Sequence, residues 1–162
     1  MSKIKIGFGY DLHKLCKGSG LTLAGITIPS EYSIDAHSDG DIILHALSDA
    51  IYGSLAMGDI GIHFPSNSSN QNISSKIILS HACNLLQQEM YSLSNIDITV
   101  ILEKPRLQEN ILKMRENLSK LTSTNIDNIS IKSSTSQKIG LIGTHKAIAC
   151  YASILISYIP IF

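Results

Sequence analysis

The sequence predicts an α+β fold, a mixed four-stranded-type sheet with helices packed on one face plus a small hairpin, in a single domain over residues 1–162. Three observations predict it. β-rich runs and helix-length periodic runs follow one another in mixed order rather than in strict alternation. A chain of 162 residues with 44% apolar content is large enough to bury a core without staples. No internal repeat or linker divides it.

The elements follow in order. Lys3-Ile4-Lys5-Ile6-Gly7-Phe8-Gly9-Tyr10 alternates and reads as a strand, with Asp11 and His13 at its end. Leu21 to Pro29 gives two short β runs around Gly25, a hairpin-like excursion, and a loop leads on to Ala36-His37-Ser38-Asp39-Gly40-Asp41. Ser38 or Asp39 is the expected N-cap of a helix over Asp41 to Met57 that Gly58 ends. The polar tract Ser66 to Asn72 has no periodicity and reads as a mobile surface loop. Ser74 to Met90 has helical spacing, with His81 at a core edge or in solvent. Ile96 to Leu102 is β-branched and closed by Lys104-Pro105, so it reads as a strand. Leu107 to Leu121 returns to helix, with Ile111, Met114, Leu118 and Leu121 as its core stripe. Ile129 to Lys132 is a further strand, followed by a loop punctuated by Gly140 and Gly143. The apolar run from Ala147 to Phe162 is interrupted by Ser153, Ser157 and Pro160 and is shorter than the roughly 20 residues of a spanning helix, so it is expected to be a buried strand.

Charge and cysteine usage exclude several classes of function. With 13 basic and 13 acidic residues, the chain has no field that would gather a nucleic-acid backbone or an anionic membrane. Cys16, Cys83 and Cys150 are odd in number and far apart, which suits neither a disulfide framework nor a thiolate zinc site and fits a cytoplasmic protein. Met1 to Lys5 runs straight into the first strand, with no signal core or transit segment, so the mature chain is expected to begin here.

Two segments concentrate the chemistry. Asp11 and His13, two apart on a strand, share a face. His45 lies on the helix, with Asp41 and Asp49 as its i−4 and i+4 neighbours, placed to orient the ring or hold its second N–H. One carboxylate and two imidazoles with a fourth position open form the donor set of a catalytic zinc, whereas structural zinc sites are closed by four ligands. Packed or solvated histidines produce the same spacing, so the residues alone leave both readings open. Ser133 to Lys138 clusters hydroxyls, an amide and an amine at a strand end, groups that suit phosphate oxygens and equally suit a plain polar loop. Asp59-Ile60-Gly61 reads as a turn or cap that can also meet a ligand hydroxyl. Leu102 to Gln108 is a strand-exit loop whose backbone amides can bind a ligand.

Gly9-Tyr10-Asp11-Leu12-His13, the block from Ala36 to Asp41, His45-Ala46-Leu47-Ser48-Asp49-Ala50, Gly58-Asp59-Ile60-Gly61, Phe64-Pro65 and Lys138-Ile139-Gly140 together resemble the 2-C-methyl-D-erythritol 2,4-cyclodiphosphate synthase family, in order and over nearly the whole chain. The resemblance implies conversion of 4-diphosphocytidyl-2-C-methyl-D-erythritol 2-phosphate to the cyclic diphosphate with release of CMP, in non-mevalonate isoprenoid biosynthesis. It implies Zn²⁺ or another divalent transition metal on Asp11, His13 and His45, with a β-phosphate oxygen of the substrate as fourth ligand. A second divalent ion, Mg²⁺ or Mn²⁺, would sit on the diphosphate. His37 and Thr135 match transition-state stabilisers. Asp11, His13, His37, Ser38, Asp59, Ile60, Gly61, Phe64, Pro65, Ser66, Asn67 and Ser68 match substrate contacts, with Asp59 facing the methylerythritol part. Leu102, Glu103, Lys104, Pro105, Arg106, Leu107 and Gln108, with Ser134, Thr135, Ser136 and Gln137, match the region around cytidine and its phosphates, and Leu141 and Thr144 join the substrate contacts. A homotrimer with active sites at subunit interfaces is implied.

The chain departs from the family pattern in four places. Gln137 stands where a magnesium-binding glutamate is usual, Thr144 replaces an arginine, Tyr151 replaces a glutamate near the trimer axis, and Ser66 replaces an aspartate. Two rival functions use the same residues: a zinc phosphohydrolase, and a non-catalytic trimeric protein that binds a cytidine nucleotide or an isoprenoid.

Overall fold

In the computed structural model, which describes residues 3–36, 39–65 and 73–159, the first strand does not stop at Asp11. Strand β1 runs Ile4–Lys17 and carries Asp11 and His13 in its interior. It pairs antiparallel with β7 (Ala147–Tyr158), from Ile4 opposite Ser157 to Lys14 opposite Ala147. β5 (Tyr91–Ile101) is antiparallel to the other edge of β7, and β6 (Ile129–Ser134) lies parallel to β5. The tail of β1, from the last residue of its ladder with β7 onward, is paired along its other edge by β4 (Tyr32–Asp35), Lys14 opposite Asp35. The sheet order is therefore β4-β1-β7-β5-β6, five strands rather than the four the sequence predicts. Four residues carry too little alternation to stand out from a loop, and it is the overshoot of β1 that gives β4 a partner.

The hairpin is present as expected. β2 (Gly20–Leu23) and β3 (Ile26–Pro29) form a separate two-stranded sheet. They are joined by Ala24 and Gly25, with φ of 51 and 75°, the doubly left-handed geometry of a tight hairpin turn.

Helices α1 (Ile42–Leu55), α3 (Ser75–Gln88) and α4 (Ile111–Thr122) layer one face of the sheet. The short α2 (Ile60–His63) and α5 (Gly140–Gly143) sit in connections. The N-cap of α1 is Asp41, not Ser38 or Asp39: its carboxylate accepts from Leu44 N–H at 3.2 Å and from Ala24 N–H at 3.0 Å, so one buried side chain starts the helix and ties it to the hairpin turn. The helix ends at a left-handed Ala56, ahead of Gly58. Met114 and Leu118 of α4 are fully buried, with Ile111 and Leu121 packed at the core edge, as the stripe predicts. His81 is half-buried, its Nδ1 2.9 Å from the Tyr52 hydroxyl.

The inward and outward faces of β1 reverse the usual arrangement. Gly7, Gly9, Asp11 and His13 face α1, while Ile4, Ile6, Phe8, Tyr10 and Leu12 stand on the uncovered face, 45–78% exposed. The glycines explain how α1 comes so close. A Cβ at Gly7 would lie 2.0 Å from the Ala50 carbonyl oxygen, and one at Gly9 1.9 Å from that of Ala46. Helix and strand backbones touch there, and His45 is brought down beside Asp11 and His13.

Candidate functional site

Asp11 Oδ2 lies 3.0 Å from His45 Nδ1 and 3.1 Å from His13 Nε2, and the two ring nitrogens are 3.2 Å apart. Among the described residues this is the one set of three side chains grouped closely enough to hold a metal ion. Metal bonds of about 2.0–2.1 Å give a tetrahedron an edge of about 3.3 Å, so the three donors stand close to the spacing of one tetrahedral face. The set is one carboxylate and two imidazoles, open on one side, and it fits a divalent metal. Burial by itself raises the Asp11 carboxyl, but hydrogen bonds to His13 and His45 and their charge outweigh it and hold the group well below the usual carboxylate range.

The far side of His45 is held by residues from another part of the chain. Its Nε2 is 2.9 Å from the Ser75 hydroxyl, which donates to Asp39 Oδ1. Asp39 also accepts from Ser75 N–H at 3.0 Å and from the Ser74 hydroxyl at 3.2 Å. Burial pushes Asp39 up, but these donors outweigh it and lower its pKa. A carboxylate only accepts, so the single hydroxyl hydrogen of Ser75 goes to Asp39, and the serine oxygen is left to accept from His45 Nε2–H. Nδ1 faces Asp11 and His13: it donates to Asp11 Oδ2 when it carries a proton and offers its lone pair to a metal that displaces that proton. Ser75, not Asp41 or Asp49, is therefore the partner of the second imidazole nitrogen. Asp41 accepts from backbone N–H groups at the hairpin and helix start, and Asp49 accepts from Ile60 N–H at 2.8 Å. Burial raises the Asp49 pKa, and the nearby Asp59 and Asp11 charges add to it.

Asp49 thereby joins α1 to the start of α2, where Asp59 accepts from Ile62 N–H at 3.1 Å. Asp59 is a helix cap, with Gly61 exposed beside it and Phe64 packed edge-on against His81. Ile60 packs at the core edge. His37, Ser38, Ser66, Asn67 and Ser68 lie outside the described residues.

The second group of predicted site residues sits elsewhere on the same end of the sheet. Asp11 is opposite Cys150, Cys150 opposite Val100, and Val100 opposite Ser133. Three strand spacings therefore separate Asp11 and His13 from the loop that begins at Ser134, about 14 Å at about 4.8 Å each. The two groups do not meet within one chain. An open cleft of about 430 Å³ is lined by Glu103, Lys104, Pro105 and Arg106 together with Ser30 and Glu31, a size that suits a small-molecule ligand. Leu102 and Leu107 are buried in the core, which leaves only their main-chain groups for a ligand. Thr135, Gln137 and Leu141 are exposed, and the Thr144 hydroxyl bonds back to the Gly140 and Leu141 carbonyls at 3.2 Å each.

The model of the YgbB family matches residues 4–157. The chain belongs to the YgbB family. Its relatives include the 2-C-methyl-D-erythritol 2,4-cyclodiphosphate synthase of Brachyspira hyodysenteriae, 47% identical over 149 residues, which are 91% of this chain and 94% of that protein. The synthase of the same name from Acinetobacter baylyi is 42% identical over 157 residues, 96% of each. Among solved structures, Plasmodium falciparum IspF in complex with CDP superposes with a TM-score of 0.88 at 37% identity, covering 99% of both chains. A CDP-bound 2C-methyl-D-erythritol-2,4-cyclodiphosphate synthase gives a TM-score of 0.87 at 32% identity, covering 94% of this chain and all of that one. The family named by the sequence resemblance is thus the one the chain belongs to.

Sequence reasoning missed several groups in this YgbB-family site, Ser75 behind His45, Gly7 and Gly9 under α1, and Ser30 and Glu31 at the cleft, and it read Asp39 as a helix cap where the carboxylate instead holds Ser75. Only the two glycines carried a local signal, a small-residue alternation inside a strand that points to close backbone approach.

Proposed function

We propose that this chain is a 2-C-methyl-D-erythritol 2,4-cyclodiphosphate synthase, a phosphorus-oxygen lyase of the non-mevalonate isoprenoid pathway, working in the cytoplasm as a homotrimer. The observation that carries the reading is the convergence of Asp11, His13 and His45, braced by Ser75 and Asp39, in a chain whose relatives at 41–47% identity bear that name. The reaction is internal. An oxygen of the 2-phosphate bonds to the β-phosphorus, the bond from that phosphorus to the bridging oxygen breaks, and CMP leaves with the electron pair. With a second pKa of about 6 the attacking phosphate is largely dianionic at neutral pH, so the protein needs no strong base. Its task is to align the two phosphates and meet the charge that develops.

Asp11, His13 and His45 would hold the transition metal. When bound, it and a second divalent ion supply charge withdrawal from the diphosphate oxygens. Thr135 and, by resemblance, His37 are the donors to the equatorial oxygens. Asp59, Gly61 and Phe64 to Ser68 receive the methylerythritol end, and the loops at 102–108 and 134–137 receive cytidine and its phosphates. The uncovered apolar face of β1 supports assembly, since a stripe of large apolar residues is costly in water. The strand separation between the two halves supports a site completed by a neighbouring copy. The free thiols of Cys16, Cys83 and Cys150 suit a reducing compartment, and no helix among the described residues is long and apolar enough to cross a membrane.

The test is product analysis with substrate, Zn²⁺ and Mg²⁺. CMP together with cyclic product supports the reading. A linear product carrying oxygen from labelled water identifies a hydrolase instead, and CDP binding with no CMP release identifies a binding protein.

A further inference from the structure

The loops that follow β5 and β6 leave the sheet side by side, because the strands are parallel and paired to their ends, Ile101 opposite Ser134. Leu102 N–H donates to the Ser134 carbonyl at 3.0 Å, and beyond it one carboxylate oxygen bridges the two loops. Glu103 Oε1 accepts from Ser136 N–H at 2.9 Å and Lys138 N–H at 3.2 Å, and the Ser136 hydroxyl, with one hydrogen to give, lies between Glu103 Oε1 at 3.0 Å and the Ile139 carbonyl at 2.9 Å. The turn it grips is an unfavourable one. Gln137 and Lys138 are consecutive, neither is glycine, and both are left-handed, with φ of 55 and 64°. From behind, Gly143 seats directly on this turn, where a Cβ would stand 2.1 Å from the Lys138 carbonyl carbon. Such a conformation persists only where its surroundings over-determine it.

What the turn delivers is the Thr135 hydroxyl. Its oxygen accepts from Gln137 N–H and from the Gln137 side-chain amide, each at 3.3 Å. A hydroxyl has two acceptor positions and one hydrogen, so with both acceptor positions occupied the exposed Thr135 is left with its O–H to give to a ligand.

We propose that Glu103 is a positioning residue for Thr135: by holding the left-handed turn at 136–138 it sets Gln137, and through Gln137 it aims the Thr135 hydroxyl as a donor to a phosphate oxygen. The proposal rests on the reading in which Thr135 faces the transferring phosphate. It gives Glu103 a job besides the direct substrate contact that the resemblance implies, since one of its two carboxylate oxygens holds the loop. Both backbone donors meet one oxygen, so an amide carbonyl serves in its place and the negative charge is dispensable for the clamp.

The experiment compares full-length parent, E103Q and E103A. It reads backbone amide exchange at Ser136 and Lys138, CDP affinity, and the kcat and KM for CMP release. In E103A both amides exchange at least about tenfold faster and kcat falls at least about tenfold while KM stays within about threefold, the pattern of a lost transition-state donor. E103Q, whose amide oxygen can take the same donors, returns both amides to within about threefold of the parent's exchange rate and recovers most of the kcat lost in E103A. Unchanged exchange in E103A overturns the proposal, as does faster exchange with unchanged kcat. E103Q as impaired as E103A also overturns it, by showing that the charge acts on the ligand or its metal. If the parent itself makes no CMP, the functional reading fails on its own, and the clamp is still decided by amide exchange in E103A against E103Q.

Discussion

Ser75 decides which nitrogen of His45 is available to a metal at the Asp11, His13 and His45 set. Its hydroxyl is tied to Asp39, so the serine oxygen fixes the proton on His45 Nε2 and turns Nδ1 toward Asp11 and His13. Removing an outer partner of this kind typically weakens metal binding 10–100-fold. Ser75→Ala is therefore expected to lose about 10–100-fold in Zn²⁺ affinity, read by competition with a chelator, with its circular dichroism unchanged. An affinity equal to the parent's would show that Ser75 does not orient the ring. At this scale the grouping of Asp11, His13 and His45 as a candidate metal set was legible, because two of them share a strand face and the third lies in a helix-length run bearing recognisable motif residues. Their support was not. Asp41 and Asp49 are the natural candidates by helical spacing, yet both carboxylates turn to backbone N–H groups. Ser75 lies 30 residues further on, in a serine-rich stretch with nothing local to single it out, and only the packing of α3 against α1 brings it in.

Among the elements, α1 is held at its start and along its body, and each hold can be tested. At its start, burial pushes the Asp41 carboxyl up to about 6, against the pull of N–H groups from Gly25, Leu44 and Ala24. Since the unfolded value is about 3.9, the native state binds this proton more tightly. The contribution to stability is whole below about pH 4 and is lost as pH rises through about 6. Asp41→Asn has no such proton and sets an amide N–H₂ where a carboxylate oxygen received N–H, at a cost of about 1–3 kcal/mol. In urea unfolding, its deficit against the parent should be largest near pH 4 and shrink toward pH 7; a deficit that grows over that range contradicts the assignment. Along the body of the helix, Gly9→Ala drives a methyl group onto the Ala46 carbonyl and is expected to cost about 1–3 kcal/mol by overpacking. It also moves the helix that carries His45, so Zn²⁺ affinity and thermal midpoint should fall together. Helices and long strands were legible from period and length, and their caps less so, because Asp39 and Asp41 are equally good capping residues in sequence and the choice depends on the distant Ala24–Gly25 turn. β4 was invisible for a similar reason: what makes it a strand is the free edge of β1.

At the scale of the whole molecule, the alternation of β1 identified a strand without saying which side is covered. Apolar residues usually face the core, yet here glycines, Asp11 and His13 meet the helix layer and the large apolar side chains are left outside. That inversion, and the three strand spacings between the metal ligands and the Thr135 loop, both follow from topology that no local pattern encodes. Together they make a prediction that separates assembly from metal binding. A double variant, Ile6→Lys with Phe8→Lys, places two like charges on the uncovered face, and these would have to be desolvated if that face were covered by another copy. Both side chains point away from α1, so the fold and the Asp11, His13 and His45 set should survive, with circular dichroism and Zn²⁺ affinity close to the parent's. Sedimentation should show a trimer for the parent and a smaller species for the variant, and CDP affinity and CMP release should be lost with assembly. A dissociated variant that still binds CDP and turns over would mean that both halves of the site within one chain serve one substrate, and that sharing between copies is not how this protein completes its centre.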